Sequence, residues 1–227
     1  MIRRILGLSA IALAFAAPLG AQAYFYPAFQ PTRVAEREYN FVLADNGNGN
    51  GIGNVGGNID GTGTGLIFQW REGLGNQRAQ FTMDAGFADP DAVGADARLI
   101  LGAGFAYQLL HERQDMPFDM VFASGIGMSF GDNVTTLKVP VGVAIGHRFP
   151  IEGKFAITPY VHPRLSIDYI SIDTQFGNLS DTELNLDIDL GGSLELNEQM
   201  QIRLAALLGD ADAIGISFAW MPRGLRR

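Results

Sequence analysis

The chain has 227 residues, no cysteine and a formal net charge of −8. An acidic chain is a poor partner for nucleic acid, and the lack of cysteine excludes a disulfide framework and thiol chemistry. The length suits a single domain.

The first element is an export signal. Two arginines near the start precede an apolar run over residues 5–17, and small residues at Ala21 and Ala23 form an A-x-A site. This order is typical of a secretory signal peptide. The apolar run is shorter than the roughly 20 residues that a spanning helix needs. We therefore expect residues 1–23 to be removed by cleavage after Ala23.

Residues 24–36 are rich in aromatic residues and proline and show no hydrophobic period. They form an irregular lead-in to the part of the chain that follows.

From residue 37 onward, apolar and polar residues alternate. A period of two predicts strands, and the polar face is heavily charged. In a soluble sandwich that face would meet water, whereas in a membrane barrel it lines the lumen. The export signal favours the barrel. The alternating segments are 37–45, 64–72, 77–87, 97–110, 118–130, 135–149, 154–170, 182–196, 199–208 and 213–220.

The connections between these segments also alternate in character. An even number of strands brings both chain ends to the periplasmic rim, where turns are short, and leaves longer loops on the other rim. On this arrangement residues 24–36 are a periplasmic lead-in, or a segment that lies against the barrel rim. The short connections are 73–76, 111–117, 150–153 and 197–198, and the others are 46–63, 88–96, 131–134, 171–181 and 209–212.

Outward-facing aromatic residues cluster near the predicted periplasmic rim, and a sparser set lies near the other rim. Such belts are typical of membrane interfaces. The first set is Tyr39, Trp70, Tyr107, Phe118, Phe149, Phe155 and Trp220, and the second is Phe87, Phe130 and Tyr169.

The last predicted strand, 213–220, resembles the assembly signal of bacterial outer-membrane barrels at Gly215, Phe218 and Trp220, with a short tail over 221–227. With the export signal and the ten alternating segments, the chain resembles the small OmpA/OmpW-like outer-membrane β-barrel class of Gram-negative bacteria. The resemblance implies an all-β, closed, antiparallel up-and-down transmembrane barrel over 37–220, with about ten strands or alternatively eight. It also implies a porin-like monomer in the outer membrane. Its partners would be outer-membrane lipid, lipopolysaccharide and the barrel assembly machinery.

Charged residues of both signs fall on the predicted luminal face. A plausible register places Arg164 opposite Asp187 and His162 opposite Asp189. Isolated buried charge is costly, so these residues must pair. We therefore expect a packed, salt-bridged lumen and a structural or surface-interaction role. The many small luminal residues favour the alternative, a narrow channel for small solutes. The predicted lumen charge network is His162, Arg164, Asp168, Asp187, Asp189 and Arg203.

The sequence also contains residues of a possible hydrolase, namely His162 with Asp189, Ser166 and Ser193. Residues four apart on a strand are separated by about 13 Å, which exceeds the nucleophile–base contact distance. We therefore expect no enzyme, no cofactor and no metal site. The loop at 46–51 is similar to a calcium loop but lacks its acidic ligands, and is interpreted as a surface loop.

Three prolines fall inside predicted strands, at Pro140, Pro159 and Pro163. Each removes a ladder donor, and the last two face the same neighbouring strand because they are four residues apart. Either bulges open this seam, or these strands run partly outside the bilayer.

Overall fold

The computed structural model describes residues 26–46, 63–75, 78–90, 97–113, 116–151, 155–209 and 213–222. The predicted signal peptide, the Gly/Asn-rich loop and the end of the C-terminal tail lie outside these ranges. Within the described residues, no helix is long and apolar enough to cross a membrane.

The chain forms a closed antiparallel β-barrel. Consecutive strands pair with each other, except that β6 pairs with β8 instead of with β7, and β1 pairs with β11. The two-residue β7 continues β6 along β8 in an unchanged register, so the closed ring has ten strands. This confirms the predicted fold class and strand number. The strands are β1 (Arg37–Asn46), β2 (Gly63–Leu74), β3 (Ala79–Pro90), β4 (Arg98–Leu110), β5 (Asp119–Phe130), β6 (Val134–Gly146), β7 (Phe149–Pro150), β8 (Ala156–Thr174), β9 (Gly177–Asn197), β10 (Met200–Leu208) and β11 (Ala213–Trp220).

The outer surface is apolar and the lumen is packed. Leu66 and Leu184 point outward and are 62% and 71% exposed, whereas Glu38 and Asn40 point inward and are fully buried. A band of exposed aliphatic and aromatic side chains around a closed sheet suits a lipid environment. We call the rim at which β1 begins the near rim, and the rim at which it ends the far rim.

Aromatic residues meet on the outside close to the near rim. Tyr39 is paired with Trp70 on one side and with Trp220 on the other. The rings of Tyr39 and Trp220 stack with centroids 5.6 Å apart. Tyr39 and Trp220 belong to the first and last strands, so their contact in this belt follows from barrel closure.

The hairpin of β8 and β9 projects beyond the far rim. Residues 171–181, expected as a loop, are mostly strand, because β8 continues to Thr174 and β9 starts at Gly177. Above Tyr169 the outward residues become polar, as at Ser171 and Ser180, so the alternation that marks a lipid-facing strand is lost there. Gly177 has a φ of +131°, which favours glycine at this turn.

The in-strand prolines interrupt the ladder without shifting it. Gly142 pairs with Arg164 and Ile145 pairs with Val161 in one register, and the two bridges between them, beside Pro163, are missing. The gap between β6 and β7 lies beside Pro159 in the same way. Both prolines face the same neighbour, as predicted, and β6 and β8 carry no bulge against each other.

Candidate functional site in the barrel lumen

Residues 26–35, which we call the luminal segment, lie inside the barrel. Tyr26, Ala28 and Phe29 are almost fully buried. The Tyr26 hydroxyl faces the carbonyl of Gly63 at the far rim, and the Glu36 carbonyl accepts a hydrogen bond from Gly73 N at the near rim. The segment therefore descends through the lumen into β1. The interpretation of 24–36 as a periplasmic lead-in is wrong for these residues, because the barrel interior buries their aromatic side chains.

Arginines of the barrel bind the main chain of the luminal segment in the half nearer the far rim, which we call the upper half; the half nearer the near rim is the lower half. Arg71 Nη2 donates to the carbonyl oxygens of Phe29 at 3.1 Å and Ala28 at 3.4 Å. Arg164 Nη2 lies 3.5 Å from the Tyr26 carbonyl. A guanidinium has five donors, so each arginine can bind its carboxylate and still serve carbonyls.

Two glutamines bind the lower half in the same manner. Gln108 accepts a hydrogen bond from Val34 N at 2.9 Å and donates to the Thr32 carbonyl at 3.0 Å. Gln80 accepts one from Ala35 N at 3.0 Å. A carboxamide both donates and accepts, so it substitutes for a neighbouring strand.

Glycines on the barrel wall make room for the aromatic side chains of the luminal segment. A Cβ on Gly65 would lie 2.6 Å from the Tyr26 ring, and one on Gly215 would lie 2.8 Å from the Phe29 ring. Phe29 itself has a φ of +48°, a left-handed backbone that a bulky residue rarely adopts. Because Phe29 is fully buried, its packing contacts stabilise this backbone conformation.

A cluster centred on Glu38, which we call the Glu38 cluster, joins β1, β2 and β10. Arg203 binds the carboxylate with both Nη atoms at 2.7 and 2.6 Å, and Arg71 binds it through Nη1. The sequence interpretation omitted Glu38, although its alternation with Tyr39 and Phe41 places it on the luminal face. It also expected Arg203 in the network described next, from which the structure separates it.

The other predicted network residues meet around Asp187, in what we call the Asp187 network. The register pairs Arg164 with Asp187 and His162 with Asp189, the pairs expected from the sequence. However, the nearest cation to Asp187 is Lys138, with Nζ 2.8 Å from Oδ2, whereas Arg164 Nε lies 3.7 Å from that atom.

The remaining contacts of the Asp187 network complete it. Lys138 Nζ also lies 3.1 Å from Asp168, Arg164 lies 3.5 Å from Asp189, and His162 Nδ1 lies 3.0 Å from Asp189.

The structure does not assemble the hydrolase arrangement. Ser166 is paired with Asn185 and Ser193 with Thr158, so neither serine lies opposite His162. Among the described residues, no group of three or more His, Cys, Asp or Glu side chains could hold a metal ion.

A cavity of about 200 Å³ lies at the near rim between the luminal segment and the walls of β8, β9 and β10. At its edge Arg148 binds Glu195 with Nη2 2.6 Å from Oε2. The hydrogen bonds that Arg148 donates to the Glu195 carboxylate raise the pKa of the Arg148 guanidinium above its usual value. The cavity lining is mostly uncharged, and its charged residues, such as Arg148 and Glu195, form ion pairs.

The residues of the predicted assembly signal occupy both faces of β11. Phe218 and Trp220 point outward and are 37% and 44% exposed, whereas Gly215 points into the lumen beneath Phe29. The sequence motif therefore contains one residue that also shapes the lumen.

These features define a closed ten-stranded antiparallel β-barrel whose apolar outer surface suits a membrane. The chain is similar to the crystal structure of Neisserial surface protein A, with 10% identity, a TM-score of 0.36, and coverage of 82% of this chain and 96% of that one. It is similar to the β domain of the Bordetella autotransporter BrkA, with 8% identity, a TM-score of 0.39, and coverage of 82% and 99%. No protein-family model and no curated protein matches the sequence.

Proposed function

We propose that this protein is a monomeric, non-conducting barrel of the bacterial outer membrane with a structural or surface-interaction role. The observation that carries this proposal is the luminal segment, which fills the lumen from the level of Gly63 down to Gly73 and is bound by Arg71, Arg164 and two glutamines. A lumen that is filled by protein and ringed by buried ion pairs leaves no continuous aqueous path.

The projecting hairpin supports the surface-interaction role. The near rim carries the predicted short turns and is assigned to the periplasm, so the far rim faces the cell exterior. The tip of the hairpin is exposed, with Phe176 95% exposed. Lipopolysaccharide surrounds this region, and the barrel assembly machinery engages β11 at Phe218 and Trp220 during insertion.

The alternative is a narrow channel for small solutes, which the near-rim cavity favours. In this case the luminal segment would have to move to open the path.

Single-channel recording in planar bilayers separates the two. The mature chain, refolded in detergent and verified by heat-modifiable migration on gels, is expected to give no steady openings even at high protein load. Stable conductance steps from this intact chain would refute the proposal of a non-conducting lumen and establish the channel.

A further inference from the structure

We propose that the lumen is a binding site for an irregular, non-helical peptide, and that the luminal segment is its exchangeable, tethered occupant. This inference rests on the closed lumen proposed above. It adds that the lumen is blocked because it binds a peptide, and that the barrel residues define which class of peptide binds.

The first argument is that the barrel contacts the luminal segment mainly through the main chain of that segment. The barrel binds main-chain atoms of the luminal segment at both ends, through Arg71 and Arg164 in the upper half and Gln80 and Gln108 in the lower half. In addition, the backbone N–H of Ala28 faces Asp189. Contacts to main-chain atoms are available to any peptide that adopts this backbone path, and the aromatic side chains then supply selectivity.

The second argument is selectivity. The lumen has two aromatic sockets, formed by the missing side chains of Gly65 and Gly215, and they receive Tyr26 and Phe29. Pro27 and Pro31 lack backbone N–H groups, so a buried, irregular segment has fewer donors to satisfy. The ligand class is therefore a peptide with aromatic residues three positions apart, proline nearby, and a backbone that can bend at the second aromatic residue.

The third argument is that these contacts do not depend on continuity of the chain. All of them are non-covalent, and the segment joins the barrel only through exposed Glu36 and the start of β1 at Arg37. Near this point two barrel carboxylates bind Arg33, with Nη2 3.0 Å from Glu112 and Nε 2.5 Å from the buried Asp119, and these side-chain contacts are also non-covalent. A peptide supplied separately can make the same contacts.

The test uses the mature barrel without residues 24–35 and a labelled synthetic peptide of residues 24–36. We expect saturable binding to the refolded variant, seen by fluorescence anisotropy, and loss of any conductance that the deletion opens. A scrambled peptide and a peptide with Tyr26→Ala and Phe29→Ala are expected to bind at least tenfold more weakly. On the barrel side, Gly215→Val is expected to weaken binding of the native peptide. A folded variant that binds native and scrambled peptide equally, or neither, overturns the inference.

A second variant covers failure of the deletion to fold. A protease-cleavable linker is inserted between Glu36 and Arg37, and the chain is refolded intact and then cut. Exchange of the cut segment for labelled peptide supports the site, whereas retention without exchange at a large peptide excess overturns it. Conductance of the intact chain would refute the proposal of a non-conducting lumen. The binding measurement would still show whether the lumen binds the peptide.

Discussion

Two walls of the barrel are built differently. The wall of β1, β2, β10 and β11 has paired residues along its whole length except for a shift at Met200, and its luminal carboxylate, Glu38, is bound by two arginines at hydrogen-bond distance. The wall of β6, β8 and β9 has ladder gaps at prolines, and the Arg164–Asp187 contact there is longer, at 3.7 Å.

The difference shows two ways of closing a barrel. In the first wall, backbone hydrogen bonds and buried ion pairs reinforce each other. In the second wall, Pro159 and Pro163 remove backbone donors, and glycines such as Gly142 let the strands approach closely in compensation. We therefore expect the first wall to depend on charge pairing and the second on packing.

The largest effect is expected at Glu38. Glu38→Gln leaves Arg71 and Arg203 buried without their shared carboxylate, and we expect a loss of roughly 3–5 kcal/mol in the free energy of unfolding. Urea unfolding in detergent, followed by tryptophan fluorescence, measures it. A loss below that of a surface pair would show that water screens the Glu38 cluster.

The next effect is a coupling in the second wall. A double-mutant cycle of Lys138 with Asp187 is expected to give a coupling of about 2 kcal/mol, within the usual range for residues in contact. The cycle of Arg164 with Asp187 is expected to give less, because the distance is 3.7 Å rather than 2.8 Å. The reverse order would mean that Arg164 is the true partner, as the sequence alone indicated.

A smaller effect tests packing at the proline seam. A Cβ on Gly142 would lie 2.5 Å from the Pro163 carbonyl oxygen and 2.7 Å from Arg164 Cβ. Gly142→Ala should therefore cost about 1–2 kcal/mol through overpacking. The matched control is Gly192→Ala, whose nearest new contact is at 3.9 Å and which should change stability by less than about 0.5 kcal/mol. Equal effects would remove the argument for compensation by close approach.

The smallest effect is expected for the partly exposed pair of Arg37 and Glu72 at the near rim, whose side chains are about 30% exposed. Glu72→Gln should cost at most about 1 kcal/mol, measured in the same urea series. A cost that matches Glu38→Gln would show that position in the lumen does not set the strength of these pairs.

The sequence predicted the features that follow from the two-residue period of the strands, namely which residues face the lumen and which face lipid. Alternation along β8 and β9 was sufficient to place Arg164 and Asp187 on the luminal face, because a one-residue slip of either strand would turn its charge toward lipid. The predicted pairing of the two residues agrees with the observed register. The sequence could not predict the hairpin tip, since the outward residues there are polar, as at Ser171 and Ser180, and no longer alternate with the inward Ile170 and Ile172 in the lipid-facing sense. It also could not rank Lys138 above Arg164, because that order depends on the reach of the Lys138 side chain from β6 across β8 to Asp187 on β9.

The sequence did not predict that the luminal segment lies inside the barrel, and the reason is physical. Residues 26–35 have no period, and their partners lie on β2, β3, β4 and β8, so no local pattern contains them. The available signal was composition: several aromatic residues beside an exported barrel would need burial. That signal does not distinguish the rim from the lumen.

Thiol accessibility tests most directly whether the luminal segment occupies the barrel, since the chain has no native cysteine. Ala28 is 1% exposed, whereas the Arg33 side chain is 47% exposed. In the folded, detergent-solubilised protein, Arg33→Cys should react readily with a bulky maleimide and Ala28→Cys should react only after unfolding. Equal rates at the two positions in the folded barrel would contradict the account.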